Sequence, residues 1–452
     1  MSDVDLVSGG TVALLWISAL WKSWECQGLY SDGSVVLTEI LGYQRLIGSL
    51  LTPRAYAALV AEAPTVLALK LGVTDLHWLA RFLSLGYYLL PTTLYSWAVL
   101  RARRDRGVLA VAVGAIAIVF MTTSFHIGCE SGSAYAAAIL MAVVLVTAPR
   151  LGVGDGTALV AVAGLSTRLY EHYVYLAPLL SLMTLWAIVR APSRPVLAAA
   201  LHGIAAVVLI AGMVIAARSL LDYRASEEDR HYMNRVIGSV WDFRYNILLD
   251  LLLLAAGLFL AWGTLRPGDL ERPWPYWTAG LVALAAGLSP LLVFTDRIVH
   301  PTYAETQFLS RTVAGPIAAG AIVFLWLYAS RRGSALAVVA ALKRPRVARS
   351  CLLLASAMFI ATLPWDTMLT LFWGRYLDVV REVVVSQRGQ IELDRSRLAL
   401  HPKIAHSDDM REFLSLVMRS KAGDGILLSD DVKTNEFDMT LLPDLGKYVW
   451  RE

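Results

Sequence analysis

Charged residues are scarce in this chain of 452 residues. Only 17% of them are charged and 57% are hydrophobic, whereas soluble domains carry about 25% charged residues. This deficit excludes an ordinary soluble enzyme. Apolar runs long enough to cross a bilayer recur along the sequence, and only helices or closed barrels satisfy their backbone groups there. We therefore expect an all-α polytopic membrane protein.

Cysteine is also scarce. The chain has three, Cys26, Cys129 and Cys351, and their spacing is not that of a metal site. The topology proposed below puts Cys26 and Cys129 on the same outer side, where an oxidising compartment permits a disulfide. A disulfide between them and two unpaired thiols both stay open.

Several motifs are missing as well. No basic patch is interleaved with aromatic residues, so nucleic acid is not an expected partner. The inner loops lack a glycine-rich phosphate cradle or nucleotide fingerprint. The first apolar run, Val12 to Ser23, has no basic segment before it and no cleavage site after it, which predicts a retained helix. No internal repeat is visible, and this disfavours an inverted-repeat transporter.

About eleven spans are predicted from the apolar runs. They are 9–25, 76–100, 107–124, 132–148, 156–170, 172–189, 196–217, 246–264, 276–295, 312–330 and 350–373. The arginines of the short loops fall on one side if the N-terminus is cytoplasmic and the C-terminus periplasmic in a bacterial inner membrane. We expect a transmembrane domain over 1–373 and a small extracytoplasmic cap over 374–452.

The first outer loop, residues 26–75, carries Asp32 between Ser31 and Gly33. It also carries Glu39. From Val36 to Leu51 an apolar stripe with helical spacing, formed by Val36, Ile40, Tyr43, Ile47 and Leu50, predicts an amphipathic helix. A second amphipathic helix is expected over 55–71. A carboxylate beside a helix on the membrane surface suits chemistry on a membrane-held substrate. The alternative is an ordinary N-cap turn at Asp32.

The segment from Thr157 to Val189 has about 33 residues, barely enough for two spans of roughly 17 to 20. We therefore expect its hairpin to turn at or below the outer membrane surface. Arg168, Glu171 and His172 lie in that turn and cannot face lipid, so the turn must line an enclosed or watery cavity. A local ion pair between Arg168 and Glu171 is the alternative.

The other outer loops contribute His126, Glu130, Arg297 and His300. Glu130 is either a site residue or a charge at a helix N-terminus. Arg297 is either a phosphate ligand or a partner of a lipid headgroup or of a neighbouring acid. His300 is either a second phosphate ligand or an ordinary loop residue.

Chemistry at the outer face needs a donor that has crossed the membrane, such as a polyprenyl-phosphate-linked sugar. A carboxylate would take the proton of the acceptor hydroxyl, and we assign this role to Asp32. Cationic groups would stabilise the departing phosphate, and we assign Arg168, Arg297 and His300 to it.

This layout resembles the GT-C superfamily of polytopic glycosyltransferases. The resemblance is carried by Tyr30-Ser-Asp-Gly33 after the first helix, the amphipathic helices of the first outer loop, Glu130 in the next outer loop, and Thr167-Arg-Leu-Tyr-Glu171. It implies sugar transfer from a polyprenyl-phosphate donor to a glycan or lipid acceptor, among membrane lipids. It implies catalytic roles for Asp32 and Glu130. We assign substrate binding to Glu39, Glu171 and His172.

The chain departs from better-defined branches of that superfamily. It lacks the paired Asp-Asp of many eukaryotic mannosyltransferases and the large soluble domain of oligosaccharyltransferases. We assign no metal site, and whether a divalent ion takes part stays open. Two other functions are kept beside sugar transfer: a transporter or flippase for a lipid-linked or anionic solute, and a polysaccharide polymerase. The first predicts broken helices and polar residues through the bilayer midplane.

Overall fold

The structure is a computed structural model. It describes residues 2–30, 32–47, 54–121, 129–148, 150–193, 195–222, 303–330, 337–392, 411–421, 424–428 and 447–451, and the single positions 258, 262, 266 and 281. The predicted spans 246–264 and 276–295 lie outside these ranges except at those single positions. The candidate residues His126, Arg297 and His300 also lie outside the described residues.

The described chain is mostly helical, as expected. Its α-helices are α1 Asp3–Trp24, α2 Gly33–Tyr43, α3 Ala55–Lys70, α4 Leu76–Ala102, α5 Arg106–Ala115, α6 Cys129–Thr147, α7 Val153–Ser166, α8 Tyr173–Arg190, α9 Val196–Asp222, α10 Tyr303–Ala329, α11 Ala337–Leu342, α12 Pro345–Ser386 and α13 Arg411–Val417. A 3-10 helix covers Gln27–Leu29 and a π-helix covers Ile116–Met121. The short strands β1 Gln390–Glu392 and β2 Ile426–Leu428 pair in parallel.

Five helices of the described chain are long and apolar enough to cross a membrane, by length and composition. They are Asp3–Trp24, Glu130–Thr147, Tyr173–Arg190, Val196–Leu220 and Pro345–Ser386. These helices agree with a membrane protein, and the count of eleven spans stays a prediction.

Helices α1 and α12 lie side by side and run in the same direction. Asp3, at the start of α1, pairs with Arg349 of α12 at 3.2 Å. Just beyond the end of α1, the Cys26 carbonyl accepts a hydrogen bond of 3.1 Å from Trp373 Nε1. Helix α12 then continues past the end of α1 to Ser386. We call the end of the bundle where α1 begins the basic end, and the end where α1 stops the distal end.

Arginines converge at the basic end. Asp3 accepts from Arg106 at 2.9 Å as well as pairing with Arg349. Arg101, in the last turn of α4, pairs with Asp155 in the first turn of α7 at 2.9 Å. The structure thus brings together arginines that the charge pattern had assigned to one side of the membrane.

Loop one, residues 26–75, docks on α4 at the distal end through small residues. The Gly28 N–H donates to Ser84 Oγ at 2.8 Å. A Cβ on Gly28 would lie 2.6 Å from Ser84 Cα, and a Cβ on Gly86 would overlap the Ala61 carbonyl oxygen of α3. Because glycine has no Cβ, the backbones of the 3-10 helix and α3 can approach α4 this closely.

The predicted helix over Val36 to Leu51 is wrong in its extent. Helix α2 begins at Gly33 and ends at Tyr43. Gln44 has φ 55° and ψ 28°, and its N–H donates to the Ile40 carbonyl. A residue in this left-handed conformation turns the chain away from the helix axis and ends the helix.

The described parts of the C-terminal tail lie over the distal end. Helix α13 packs against α2 and α12. The Trp450 N–H donates to the Arg419 carbonyl at 2.9 Å, and the Trp450 ring stacks on His77 of α4 at 4.4 Å. Val449 forms an isolated parallel bridge with Asp75. These described parts of the tail therefore pack on α2, the start of α4 and α12.

Candidate functional sites at the distal end

The turn between α7 and α8 is recessed into the bundle. Helix α7 has 14 residues, a length of about 21 Å at 1.5 Å per residue, whereas the hydrocarbon core is about 30 Å thick. It starts at the basic end, where Asp155 meets Arg101. The turn that follows it is buried at Leu169 and Tyr170. Helix α7 is thus too short to cross the hydrocarbon core alone, and protein covers the turn that follows it.

Loop one covers this turn. Arg54, just before α3, pairs through Nε with Glu171 Oε1 at 2.9 Å, and its guanidinium lies 4.8 Å from the centre of the Tyr170 ring. The Tyr56 N–H donates to the Arg168 carbonyl at 3.1 Å. Sequence reasoning missed Arg54 and offered Arg168 as the partner of Glu171.

Glu130 belongs to the same neighbourhood. Burial lowers the pKa of Arg54, but the adjacent Tyr170, Glu130 and Glu171 groups outweigh burial and raise it. Arg54 therefore stays protonated between two carboxylates. Glu130 also lies in the first turn of α6, where its charge interacts favourably with the helix N-terminus.

His172 is surrounded by tyrosines. Its Nδ1 lies 2.5 Å from the hydroxyl of Tyr135 on α6, and the two rings stack at 5.3 Å. Tyr170 meets it edge-on at 4.6 Å, and Tyr175 lies at 5.6 Å. These contacts fix the orientation of the imidazole.

We call Arg54, Glu130, Arg168, Glu171 and His172 the turn cluster. Arg54 is 42% exposed and Glu171 16%, so part of the cluster is open to a ligand. A guanidinium supplies planar donors for a phosphate, and carboxylates and an imidazole can accept protons. The cluster thus has the groups needed to bind an anion and move a proton beside it.

Asp32 and Glu39 lie on another element of the distal end. Asp32 is exposed and occupies the N-cap position of α2, as the N-cap alternative predicted. Its side chain makes no capping hydrogen bond to the helix. Glu39 is half-buried, and burial raises its pKa. Helix α2 packs against the 3-10 helix, α3, α4 and α13.

A second candidate site is a cavity of about 340 Å³ at the distal end, which we call the distal cavity. It lies between the end of α1, the start of α4, the second half of α12 and the C-terminal tail. Its lining residues are Trp24, Glu25, Cys26, His77, Arg81, Gly374, Leu377, Asp378, Arg381, Met418 and Trp450.

Two of the charged groups of the distal cavity, Arg81 and Glu25, are held in place by neighbours. The Arg81 guanidinium lies 3.6 Å from the centre of the Trp24 ring, and its Nε donates to the Trp24 carbonyl at 3.3 Å. Glu25 lies against Gly374, where an added Cβ would overlap its carboxylate. Burial, and then the charge of Asp378, raise the pKa of Glu25 against the opposing effect of Arg81.

The thiol of Cys26 at the cavity wall is free and buried. Its Sγ lies 3.8 Å from the Trp24 carbonyl and 3.9 Å from the His77 carbonyl. Burial raises the pKa of this thiol to about 12, so it is protonated and unreactive at neutral pH. The structure thus has Cys26 unpaired, and the side chain of Cys129 is outside what is described.

Sequence reasoning missed the distal cavity because its residues come from four distant parts of the chain. Glu25, an acid that directly follows α1, lies within the predicted first span, so its position gave no signal of a site. Within the ranges that the structure describes, no group of three or more His, Cys, Asp or Glu side chains is placed to hold a metal ion. No protein family, curated protein or solved structure matches the chain.

Proposed function

We propose that the chain is an integral membrane glycosyltransferase. It would transfer a sugar from a polyprenyl-phosphate donor to a hydroxyl of a glycan or lipid acceptor, at the periplasmic face of a bacterial inner membrane. The observation that carries the proposal is the turn cluster. Arg54 of loop one reaches Glu171 of a recessed turn, with Glu130 and His172 beside them.

The orientation is supported by the basic end. Arginines gather there around Asp3 and Asp155, and short basic loops favour the cytoplasm. The turn cluster, Asp32 and the tail are at the opposite end. We therefore propose that the reaction takes place on the periplasmic side, with the N-terminus cytoplasmic and the C-terminus periplasmic.

The turn cluster is suited to the donor phosphate. In the proposed step the bond between the anomeric carbon and the phosphate oxygen breaks, and the electron pair leaves with the polyprenyl phosphate. Arg54 and Arg168 would stabilise the charge that grows on that oxygen. Glu171 would orient the Arg54 guanidinium through their ion pair, and His172 and Glu39 would contact the sugar or the acceptor.

The acceptor hydroxyl forms the new bond. Its oxygen attacks the anomeric carbon, and its proton passes to the carboxylate of Asp32 as general base. Glu130 is the second acid of the site. Asp32 is exposed at the start of α2, so an acceptor arriving from the distal side can reach it.

The experiment uses the full chain in proteoliposomes supplied with polyprenyl-phosphate-linked sugars and an acceptor extract. Asp32→Asn is expected to abolish transfer and Arg54→Gln to lower it by about 100-fold. Arg104→Gln, which removes an exposed guanidinium at the basic end, is expected to retain transfer. Full transfer by both distal variants would overturn the proposal. Movement of the lipid-linked sugar across the bilayer without a covalent product would favour a flippase.

A further inference from the structure

We propose that the distal cavity is a binding site for an uncharged sugar ring. The cavity shares no lining residue with the turn cluster. The inference does not depend on sugar transfer, since it concerns binding at a different set of side chains. Three properties of the cavity support it: its size, its balance of charge and the fixed position of its polar groups.

The size suits a small ligand. Ligand sites for small molecules span about 300 to 1,000 Å³, and the distal cavity, at about 340 Å³, is at the lower end. It therefore matches one ring and its substituents better than an extended polymer.

The charges of the lining cancel. The carboxylates of Glu25 and Asp378 are matched by the guanidiniums of Arg81 and Arg381. A phosphate would meet the carboxylates, and a cation would meet the guanidiniums. The hydroxyls of an uncharged sugar can donate to the carboxylates and accept from the guanidiniums at the same time. This balance favours a neutral polyhydroxylated ligand over either ion.

Arg81, His77 and Glu25 are ordered before a ligand arrives. Arg81 is held by the ring and the carbonyl of Trp24, and His77 is held against Trp450. Glu25 occupies the space that Gly374 leaves open. Ordered donors and acceptors lose less freedom on binding, which increases affinity.

The C-terminal tail completes the cavity. Met418 and Trp450 form part of its wall, and the tail is fixed to α4 through the Val449–Asp75 bridge and the His77–Trp450 stack. Trp24 and Trp450 also provide fluorescent reporters at the site.

The test uses the full chain in nanodiscs and measures tryptophan fluorescence and thermal shift. The probes are D-glucose, D-mannose, D-galactose and D-arabinose, with inorganic phosphate and choline as the charged comparisons. We expect a saturable response to at least one sugar and none to phosphate or choline. These measurements use the unaltered chain. The proposal is overturned if none of the four sugars gives a saturable response, or if only phosphate or choline does.

Variants then locate the binding. Glu25→Gln and Asp378→Asn are each expected to weaken sugar binding about tenfold or more, since each removes a charged hydrogen-bond acceptor. Glu382→Gln, an exposed acid on the same helix as Asp378, is the matched control and should bind as the unaltered chain does. Sugar binding unchanged in both cavity variants would overturn the assignment to this cavity. Sugar binding that survives in an Asp32→Asn chain inactive in transfer would separate this inference from the transferase proposal.

Discussion

Lys22 Nζ lies 2.7 Å from Asp366 Oδ1, and both side chains are buried. Ser18 Oγ donates to the other carboxylate oxygen at 2.8 Å, and the Lys22 ammonium lies 5.0 Å from the centre of the Tyr88 ring. The pair joins α1 to α12 close to the distal end of α1. It is therefore a buried contact between the end of α1 and the middle of α12.

Removing one partner of this pair should destabilise the protein strongly. Lys22→Met leaves a buried carboxylate without its cation, a change that typically costs about 3 to 5 kcal/mol. We expect a clear fall in Tm for Lys22→Met and for Asp366→Leu, measured on the full chain in detergent. The double variant should recover most of the loss, since apolar side chains can replace a buried pair. If the fall in Tm of the double variant equals the sum of the falls of the two single variants, the two side chains do not form a stabilising pair.

Removing the Arg54–Glu171 pair should affect transfer and not stability, in contrast to the Lys22–Asp366 pair. Arg54 is 42% exposed, and exposed ion pairs contribute only about 0 to 1 kcal/mol. Arg54→Gln should therefore leave Tm nearly unchanged while it lowers transfer by about 100-fold, the effect of losing one donor to a developing anion. If Glu171 acts by orienting Arg54, adding Glu171→Gln to Arg54→Gln should lower transfer no further. A further large loss would give Glu171 a role of its own.

The sequence predicted the features that membrane thickness imposes. Apolar length located α1, α6, α8 and α9, and the short distance from Thr157 to Val189 predicted a recessed turn. It could not show that Arg54 covers that turn, because hydrophobic periodicity defines a face of each helix but not its neighbour. For the same reason the sequence could not predict that α1 and α12 pack in parallel, which brings Glu25 close to Asp378.

The extent of α2 shows a second limit. The apolar spacing continues past Tyr43 toward Leu51, so the pattern alone predicts a longer helix. The helix stops because Gln44 adopts a left-handed conformation, and glutamine gives none of the signal that glycine or asparagine would. Local sequence therefore predicted the existence of this helix but not its end.

Docking of loop one on α4 can be tested with paired glycine variants. Gly28→Ala puts a Cβ 2.6 Å from Ser84 Cα and 2.8 Å from Ser84 N. Overpacking against backbone costs about 1 to 3 kcal/mol, so Tm should fall and loop one should become sensitive to protease. Gly9→Ala, in α1 with nothing within 4 Å of the added atom, is the control and should not lower Tm. Equal Tm and equal protease sensitivity of the Gly28→Ala and Gly9→Ala variants would show that loop one does not dock on α4 as described.

Glu25 should make stability depend on pH in a definite direction. Its pKa is raised above 4.5, the ordinary value for a glutamate, because burial and the charge of Asp378 favour the protonated form. The folded chain thus keeps this proton to higher pH than the unfolded chain does. The stabilisation from Glu25 is complete below its unfolded pKa and is lost as pH rises through the raised folded pKa.

The neutral variant Glu25→Gln mimics the protonated carboxyl at every pH. Its Tm should match that of the unaltered chain in acid, below the unfolded pKa, where both side chains are uncharged. It should exceed that of the unaltered chain at neutral pH, where the half-buried Glu25 ionises beside Asp378. Glu382→Gln, on the exposed side of α12, should show no such trend. A Tm difference that becomes negative as pH rises would mean that Arg81 stabilises the Glu25 carboxylate by more than burial and Asp378 destabilise it.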